Sequence, residues 1–473
     1  MSSSPLEGFP QVFALRSGQG AIVLHQSGLR HPRFPRWTGE TFTRWGDVTH
    51  HTVTSRAFRL ATRRSVYVFP RSLFADATAP DELARALVEH IGRQPGGREQ
   101  LERMWQVEKL AARPLPARAS ALFAALCALV FALDALVGGQ RVFFAGFFNA
   151  LLVRDGELWR VVTANLLHGG AAHLLLNGLG LLGLGALVER VLGPARTTLV
   201  LGAGALGGMG AGLAADYEMA VGASGVVFGL VGALVWLELR WARRLPAGWR
   251  VPRTLLLGAL AGDGLLSLVV PEIAAAAHAG GFAAGALACG ALAGPALETR
   301  APRPWVRAAD AALLLVLGAS LGSAGALVLH EGSPVAEYAR RLADRADVPA
   351  LTLNNFAWLI ATDPRATPDD RELAVRLAER AVEGTARRDP NVLDTLAEAW
   401  FAAGSPAEAV RTIDEAIALA PGEDYFREQR RRFTGERAPD DRPEPPGVWI
   451  GPLPEAPPRR PPARPEPDEG VRV

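Results

Sequence analysis

The chain is poor in several residue types, and each scarcity narrows the class of protein. Its 473 residues carry a formal net charge of only +2 without a distinct basic face, so we expect no nucleic-acid partner. Both of its cysteines, Cys127 and Cys289, fall within apolar stretches, which favours packing residues over a disulfide. A single lysine, Lys109, beside abundant alanine and arginine is typical of a bacterium with G/C-rich codons. The chain does not open on an apolar segment, so we expect no cleaved signal peptide.

Apolar residues, in contrast, make up 49% of the chain, and nearly all long apolar stretches fall between Ala119 and Leu329. Seven of these stretches are long enough to cross roughly 30 Å of hydrocarbon. They lie near 119–138, 163–188, 196–215, 222–239, 254–270, 273–294 and 308–329. Asp263 interrupts the fifth. The sequence therefore predicts a mostly α fold, a polytopic helical membrane bundle with a soluble part on each side.

The soluble part before the spans covers residues 1–112. Residues 21–25 and 65–70 alternate as strands do, and residues 81–91 carry apolar side chains at helical spacing after an acidic start. We expect a small α+β domain here. Strands closed by a helix resemble the pleckstrin-homology-like barrels found beside bacterial membrane proteins.

The soluble part after the spans shows a weak internal repeat. The pattern of residue types at 353–358 is repeated at 393–398, and the pattern at 372–381 is repeated at 406–416. Paired helices at this spacing resemble tetratricopeptide repeats, which form concave binding surfaces, so a protein partner of residues 333–435 is one hypothesis. The proline-rich residues 436–473 are predicted to be disordered.

Arginine positions predict the orientation in the membrane. Clusters precede the first span and follow the second, fourth and sixth, whereas the loops near residues 216–218 and 271–272 have none. The positive-inside rule then puts the amino terminus in the cytoplasm and, after seven spans, the carboxyl terminus outside. For a bacterial protein this means the inner (cytoplasmic) membrane. The long segment 139–162, rich in phenylalanine, is predicted to lie in the membrane interface.

Polar residues within the spans are expensive and mark candidate functional sites. On a helix, His173 and Asn177 share a face, whereas His168 would point about 140° away from His173. Ser224 begins the fourth span and His278 lies early in the sixth, so three helices bring catalytic types of side chain to one depth. Each residue alone is better explained by helix packing or hydrogen bonding, and only the coincidence of depth favours a hydrolase.

Together these motifs resemble the rhomboid family of intramembrane serine proteases. The residues that carry the resemblance are Trp159-Arg160, His168, His173, Asn177, Gly222-Ala223-Ser224-Gly225 and His278 with Gly281 and Gly285. It covers roughly residues 118–295, which gives a core of residues 113–300 with residues 301–332 as an appended seventh span. Each piece alone is common, but the combination is highly specific.

The resemblance implies roles for these residues. Ser224 would be the nucleophile and His278 its general base, without an acidic third member and without a metal or other cofactor. Asn177, His173 and the Ser224 amide would bind the oxyanion, while His168, Trp159 and Arg160 would support the loop after the first span. Gly222 and Gly281 would support the structure, and Phe228 would stack on His278 where relatives often have tyrosine. Substrates would be transmembrane proteins in the lipid bilayer, cut near the outer end of their helix after a small residue.

Other classes of protein fit the sequence less well. A His-Glu-x-x-His motif is missing, which argues against a zinc protease, and Ser224 lacks the Gly-x-Ser-x-Gly elbow of α/β-hydrolases. An inactive rhomboid-like protein that binds clients, or a scaffold whose polar residues only pack, are the alternatives. For Asp263 we expect a hydrogen bond within the bundle or exposure to a water cavity, and a structural role ahead of a proton relay.

Overall fold

The computed structural model describes residues 10–16, 20–33, 39–111, 117–138, 140–242, 244–270, 273–294, 302–343, 345 and 348–443. Two compact units divide the chain, residues 1–131 with 148–320 and residues 132–147 with 321–473. The protein is mostly helical with a small N-terminal sheet region, which confirms the predicted fold class. The predicted domain boundaries near 112 and 300, and the predicted tail from residue 444 on, lie outside the described residues.

The first unit begins with two antiparallel sheets. One contains β1 (Gln11–Ala14), β2 (Ala21–His25), β3 (Gly28–Pro32) and β4 (Glu40–Arg44), and the other β5 (Val48–Val53), β6 (Ala57–Thr62) and β7 (Val66–Pro70). Helices α1 (Ala79–Gly92) and α2 (Gly97–Ala111) follow. Leu83, Leu87 and Ile91 of α1 are spaced four residues apart and fully buried in a core with the strands. A pleckstrin-homology-like identity for this domain stays a prediction.

The segment predicted as an interfacial loop is largely helical. After α3 (Arg118–Val137) come three short helices, α4 (Arg141–Gly146), α5 (Ala150–Arg154) and α6 (Arg160–Thr163). The aromatic residues that suggested an interface are partly buried in protein, with Phe144, Phe147 and Phe148 fully inaccessible.

The remaining apolar helices are α7 (Ala171–Leu192), α8 (Pro194–Ala214), α9 (Ser224–Trp241), α10 (Arg253–Leu266), α11 (Ala275–Leu292) and α12 (Pro304–Leu329). Among the described residues, six helices are long and apolar enough to cross a membrane: α3, α7, α8, α9, α11 and α12. The fifth predicted span is shorter than expected, because α10 has 14 residues and so extends about 21 Å.

Glycines bring α9 and α11 into backbone contact. A Cβ on Gly281 would lie 2.1 Å from the carbonyl oxygen of Gly225, and a Cβ on Gly285 would lie 2.1 Å from that of Gly229. The contacts advance by four residues on both helices, so α9 and α11 run in the same direction. The chain between them must therefore run back to the end of the bundle at which α9 began, and α10 lies in this returning segment.

The second unit is built from helix pairs. Its helices are α13 (Pro334–Ala343), α14 (Ala350–Ala361), α15 (Pro368–Gly384), α16 (Pro390–Ala402), α17 (Pro406–Leu419) and α18 (Asp424–Phe433). Several begin with proline, whose missing N–H costs nothing in the first turn, and Thr367 with Asp370 forms a capping box for α15. The tetratricopeptide-like identity of these pairs stays a prediction.

A buried arginine joins distant parts of the second unit. The guanidinium of Arg141, in α4, donates to Asp363 Oδ2 at 2.7 Å and to the carbonyl oxygens of Val328, in the last turn of α12, and of His330 and Gly332, which follow that helix. The side chains of Arg141 and Asp363 are only 4% and 1% exposed. The ion pair and the hydrogen bonds together satisfy a charge that would be costly if it were left alone.

Candidate active site

Ser224 is the first residue of α9, and the loop before it is held at several points. Gly222 has φ +117°, a conformation that favours glycine, and a Cβ there would lie 2.6 Å from Cε1 of His173. The amide of Gly222 donates to the carbonyl oxygen of Ala164 at 2.9 Å. Any larger residue at position 222 would therefore displace His173 or the serine loop.

The segment after α4 supports the same loop. Phe148 and Ala220 exchange two backbone hydrogen bonds, and the Asn149 side chain donates to the carbonyl oxygen of Glu218 at 2.6 Å. Tyr217 Oη accepts the amide of Ala276 at 2.9 Å, which joins this loop to the first turn of α11. The start of α9 and the start of α11 are thus fixed to one another through the loop as well as through their glycines.

Ser224 and His278 are in direct contact. The Ser224 hydroxyl lies 2.7 Å from Nε2 of His278, within the range of a strong O–H···N hydrogen bond. Phe228, one turn after the serine, stacks on the imidazole with ring centroids 4.6 Å apart and planes 17° apart. The predicted stacking is present, and it limits rotation of the imidazole away from the serine.

Asp263 is the residue whose role the sequence left unexplained. Its Oδ2 lies 2.8 Å from Nδ1 of His278, on the side of the ring opposite Ser224. The carboxyl and the imidazole are 15% and 9% exposed. The expectation of a hydrogen bond within the bundle is thus confirmed, but the partner is His278 itself. The signal in the sequence was a single acidic residue within an apolar stretch. The less exposed stripe of α10 that carries it, with Leu256, Leu260 and Ser267, is visible only in the structure.

His173 and Asn177 lie on one face of α7, as their spacing predicted. The Asn177 amide donates to the carbonyl oxygen of His173 at 3.1 Å, and its nitrogen lies within 3.8 Å of a Cβ position on Gly222. Both side chains therefore border the loop that carries Ser224. Their binding of an oxyanion stays a prediction.

The predicted direction of His168 was wrong. Its ring centroid lies 5.1 Å from that of His173, and its Nε2 lies 3.5 Å from the amide of Ala223. The helical angle did not apply, because α7 begins only at Ala171 and His168 lies in the extended segment before it. His168 borders the serine loop from the side of the preceding segment.

Trp159 and Arg160 begin the short helix α6. Arg160 is 2% exposed, and its Nε donates to Glu157 Oε2 at 2.7 Å, while its guanidinium carbon lies 5.8 Å from the centre of the Trp159 ring. These contacts stabilise the segment that ends in Ala164, whose carbonyl oxygen accepts the amide of Gly222. Within the described ranges, three or more His, Cys, Asp or Glu side chains do not gather in a group suited to a metal ion.

The fold and this site define a multi-pass helical membrane protein in which a serine, a histidine and an aspartate are linked one to the next by hydrogen bonds. Residues 155–294 match the family model described as Rhomboid domain. The chain is 40% identical over 124 residues to rhomboid protease GluP of Bacillus subtilis, covering 25% of this chain and 24% of that protein. It is 40% identical over 89 residues to YdcA of the same species, covering 18% of this chain and 45% of that protein.

A plant protein is also similar. RHOMBOID-like protein 4 of Arabidopsis thaliana is 42% identical over 85 residues, which is 18% of this chain and 22% of that protein. The chain thus spans less than half the length of each of these three relatives. The matches support the rhomboid family for the membrane part that contains Ser224 and His278.

Proposed function

We propose that this chain is an intramembrane serine endopeptidase that cleaves transmembrane proteins. The observation that carries the proposal is the 2.7 Å contact between Ser224 Oγ and Nε2 of His278 at the start of two parallel helices. A serine hydroxyl is a weak nucleophile until an adjacent base accepts its proton. The similarity to rhomboid protease GluP supports the same chemistry.

The reaction follows from the two residues. Ser224 Oγ attacks the carbonyl carbon of the scissile bond while its proton passes to Nε2 of His278. The C–N bond then breaks, and His278 returns the proton to the leaving amine. Water, deprotonated by the same nitrogen, attacks the acyl-enzyme and releases the new carboxylate. A helical substrate must unwind locally first, because hydrogen-bonded carbonyls are poorly exposed to attack.

The oxyanion has donors at the start of α9. Ser224 is the first residue of that helix, so its amide lacks an acceptor within the helix, and the positive end of the helix dipole lies there. The side chains of Asn177 and His173 border the same loop and would add donors. Removal of one such donor typically costs about 2.7–4 kcal/mol of transition-state stabilisation, so Asn177→Ala should be slower but not inactive.

The experiment is labelling of membranes with a fluorophosphonate, which forms a bond from Ser224 Oγ to phosphorus with loss of fluoride. Wild type should be labelled and should cleave a transmembrane reporter, whereas Ser224→Ala and His278→Ala should do neither. Ser320→Ala is the matched control, since this buried serine lies on α12. Reporter cleavage by Ser224→Ala at the wild-type rate would refute the proposal. Cleavage by neither wild type nor variant would favour a client-binding protein.

The flanking domains complete the proposal. In the proposed orientation, residues 1–112 lie in the cytoplasm and α13–α18 outside the bacterial inner membrane, on the side to which a water-filled cavity around Ser224 would open. The helix pairs would bind part of a substrate or a partner protein, because stacked helical repeats form extended concave surfaces suited to binding. The N-terminal domain would serve as a pleckstrin-homology-like module.

A further inference from the structure

Asp263, on α10, is an acidic side chain in contact with the histidine of the Ser224–His278 pair. In α10, Asp263 is the single acidic residue, and the rest of its stripe is apolar or weakly polar. An ionisable side chain at this depth is expensive unless it is paired. Its partner is Nδ1 of His278, at 2.8 Å.

The two hydrogen bonds fix the tautomer of His278. Nε2 can accept the serine proton only if the neutral ring carries its own proton on Nδ1. A carboxylate 2.8 Å from Nδ1 accepts that proton in a hydrogen bond and disfavours the other tautomer. When Nε2 takes up the serine proton, the same carboxylate stabilises the resulting imidazolium.

Few other groups compete for this role. On α9 the polar neighbour is Ser224 itself, and the flat face of the ring is covered by Phe228. From α7, His173 interacts electrostatically with His278 and, as a second histidine, cannot supply a negative charge. Gly207, Gly208 and Ala211 of α8 approach α11, and none of these residues carries a charge. Among the described residues around the ring, the negative charge comes from Asp263.

We propose that Asp263 is a positioning residue that orients His278 and stabilises its protonated form, which makes the site a Ser224–His278–Asp263 triad. This inference rests on the proposed function. The proton on Nδ1 stays with the histidine throughout, and the carboxylate is not protonated in the cycle. The resemblance implied a site without an acidic third member, whereas in this proposal α10 supplies one.

The test compares Asp263→Asn, Asp263→Glu and wild type as full-length proteins in detergent. Labelling rate with a fluorophosphonate and kcat and KM for a transmembrane reporter would be measured between about pH 5.5 and 9. Asparagine keeps the size but can bind the wrong tautomer, so we expect kcat to fall about 10²- to 10⁴-fold. KM should change little, because Asp263 acts through His278. Glutamate should recover at least part of the rate.

The pH profile distinguishes an electrostatic role of Asp263 toward His278 from a purely structural role. Without the carboxylate the imidazolium loses its counter-charge, so the acid limb of the rate profile should move to lower pH in Asp263→Asn. Ser267→Ala is the matched control, since Ser267 lies on the same stripe and its hydroxyl donates only to Gly264 of its own helix at 2.8 Å. Its rate and profile should equal those of wild type.

Three outcomes would be distinct. A slow Asp263→Asn with a moved acid limb and partial recovery in Asp263→Glu supports the triad. An Asp263→Asn enzyme with the wild-type rate and pH profile would overturn the triad. So would an enzyme whose rate falls only in proportion to its folded fraction while the acid limb of the profile keeps its position. Either result leaves the serine–histidine pair intact. A wild type that neither cleaves nor is labelled refutes the proposed function itself.

Discussion

Gly281→Ala would test whether the spacing of α9 and α11 sets the Ser224–His278 contact. The added Cβ would lie 2.1 Å from the carbonyl oxygen of Gly225, the residue after Ser224. An ordinary contact needs about 3.4 Å, so the helices must separate by roughly 1.3 Å at this point. His278 lies one turn away on α11. If the displacement reaches it in full, the Oγ–Nε2 distance grows from 2.7 Å to about 4 Å, beyond hydrogen-bond range.

The expected result is a loss of reactivity that exceeds the loss of stability. Overpacking of a close contact costs about 1–3 kcal/mol of stability, whereas a misplacement of about 1 Å in an active site can cost 10²-fold in rate. We therefore expect Gly281→Ala to fold and insert but to be labelled by a fluorophosphonate at least about 10²-fold more slowly.

The matched control is Gly210→Ala. Gly210 lies on α8, and a Cβ there would meet no atom within 4 Å, so the labelling rate should be unchanged. Folded yield and thermal unfolding in detergent would be measured for both variants. Labelling of Gly281→Ala at the wild-type rate would show that α9 and α11 can separate without moving the side chains of Ser224 and His278. The argument from helix spacing would then be refuted.

Three further predictions concern the rest of the chain. Alkaline phosphatase fused after residue 112 should be inactive and fused after residue 332 active, and the reverse pattern would overturn the proposed orientation. Arg141→Ala should lower the stability of the second unit by about 3–5 kcal/mol in thermal unfolding, because it leaves the buried Asp363 unpaired; an unchanged transition would contradict this. Burial raises the pKa of Asp394 to about 7. Since its unfolded value is about 3.9, the folded state holds the proton more tightly, and stability should fall as pH rises from about 4 to 7. Hydrogen exchange of α16 and α18 should show this loss in wild type and not in Asp394→Asn.

Local spacing predicted one part of the site. The separation of His173 and Asn177 placed them on one face of α7, which depends only on a helix's own geometry. The stacking of Phe228 on His278 was expected from the resemblance to the rhomboid family and not from spacing, since the two rings belong to different helices. The direction of His168 was wrong because the same geometry was applied before the helix begins, at Ala171.

Contacts between distant segments could not be predicted in the same way. Asp263 and His278 are joined only because the chain turns back along α10, and the sequence, although it predicts a span at 254–270, does not show which helix that span faces. Arg141 was assigned to an interfacial loop, whereas its guanidinium is buried against Asp363, 222 residues further along the chain. In both cases the charge was visible in the sequence, but its partner was not.

The direction of the helices explains why the polar groups meet where they do. Because α9 and α11 run in parallel, their amino-terminal ends lie at one level, so Ser224, His278 and the positive ends of two helix dipoles come together. Parallel neighbours require a returning segment, and that segment carries Asp263 back to the level of His278. An oxyanion at Ser224 would therefore face two helix ends, while the imidazolium formed at the same moment would face a carboxylate. In the proposed reaction, the opposite charges that develop together in the transition state would each have a partner fixed in advance, which is the arrangement that electrostatic catalysis requires.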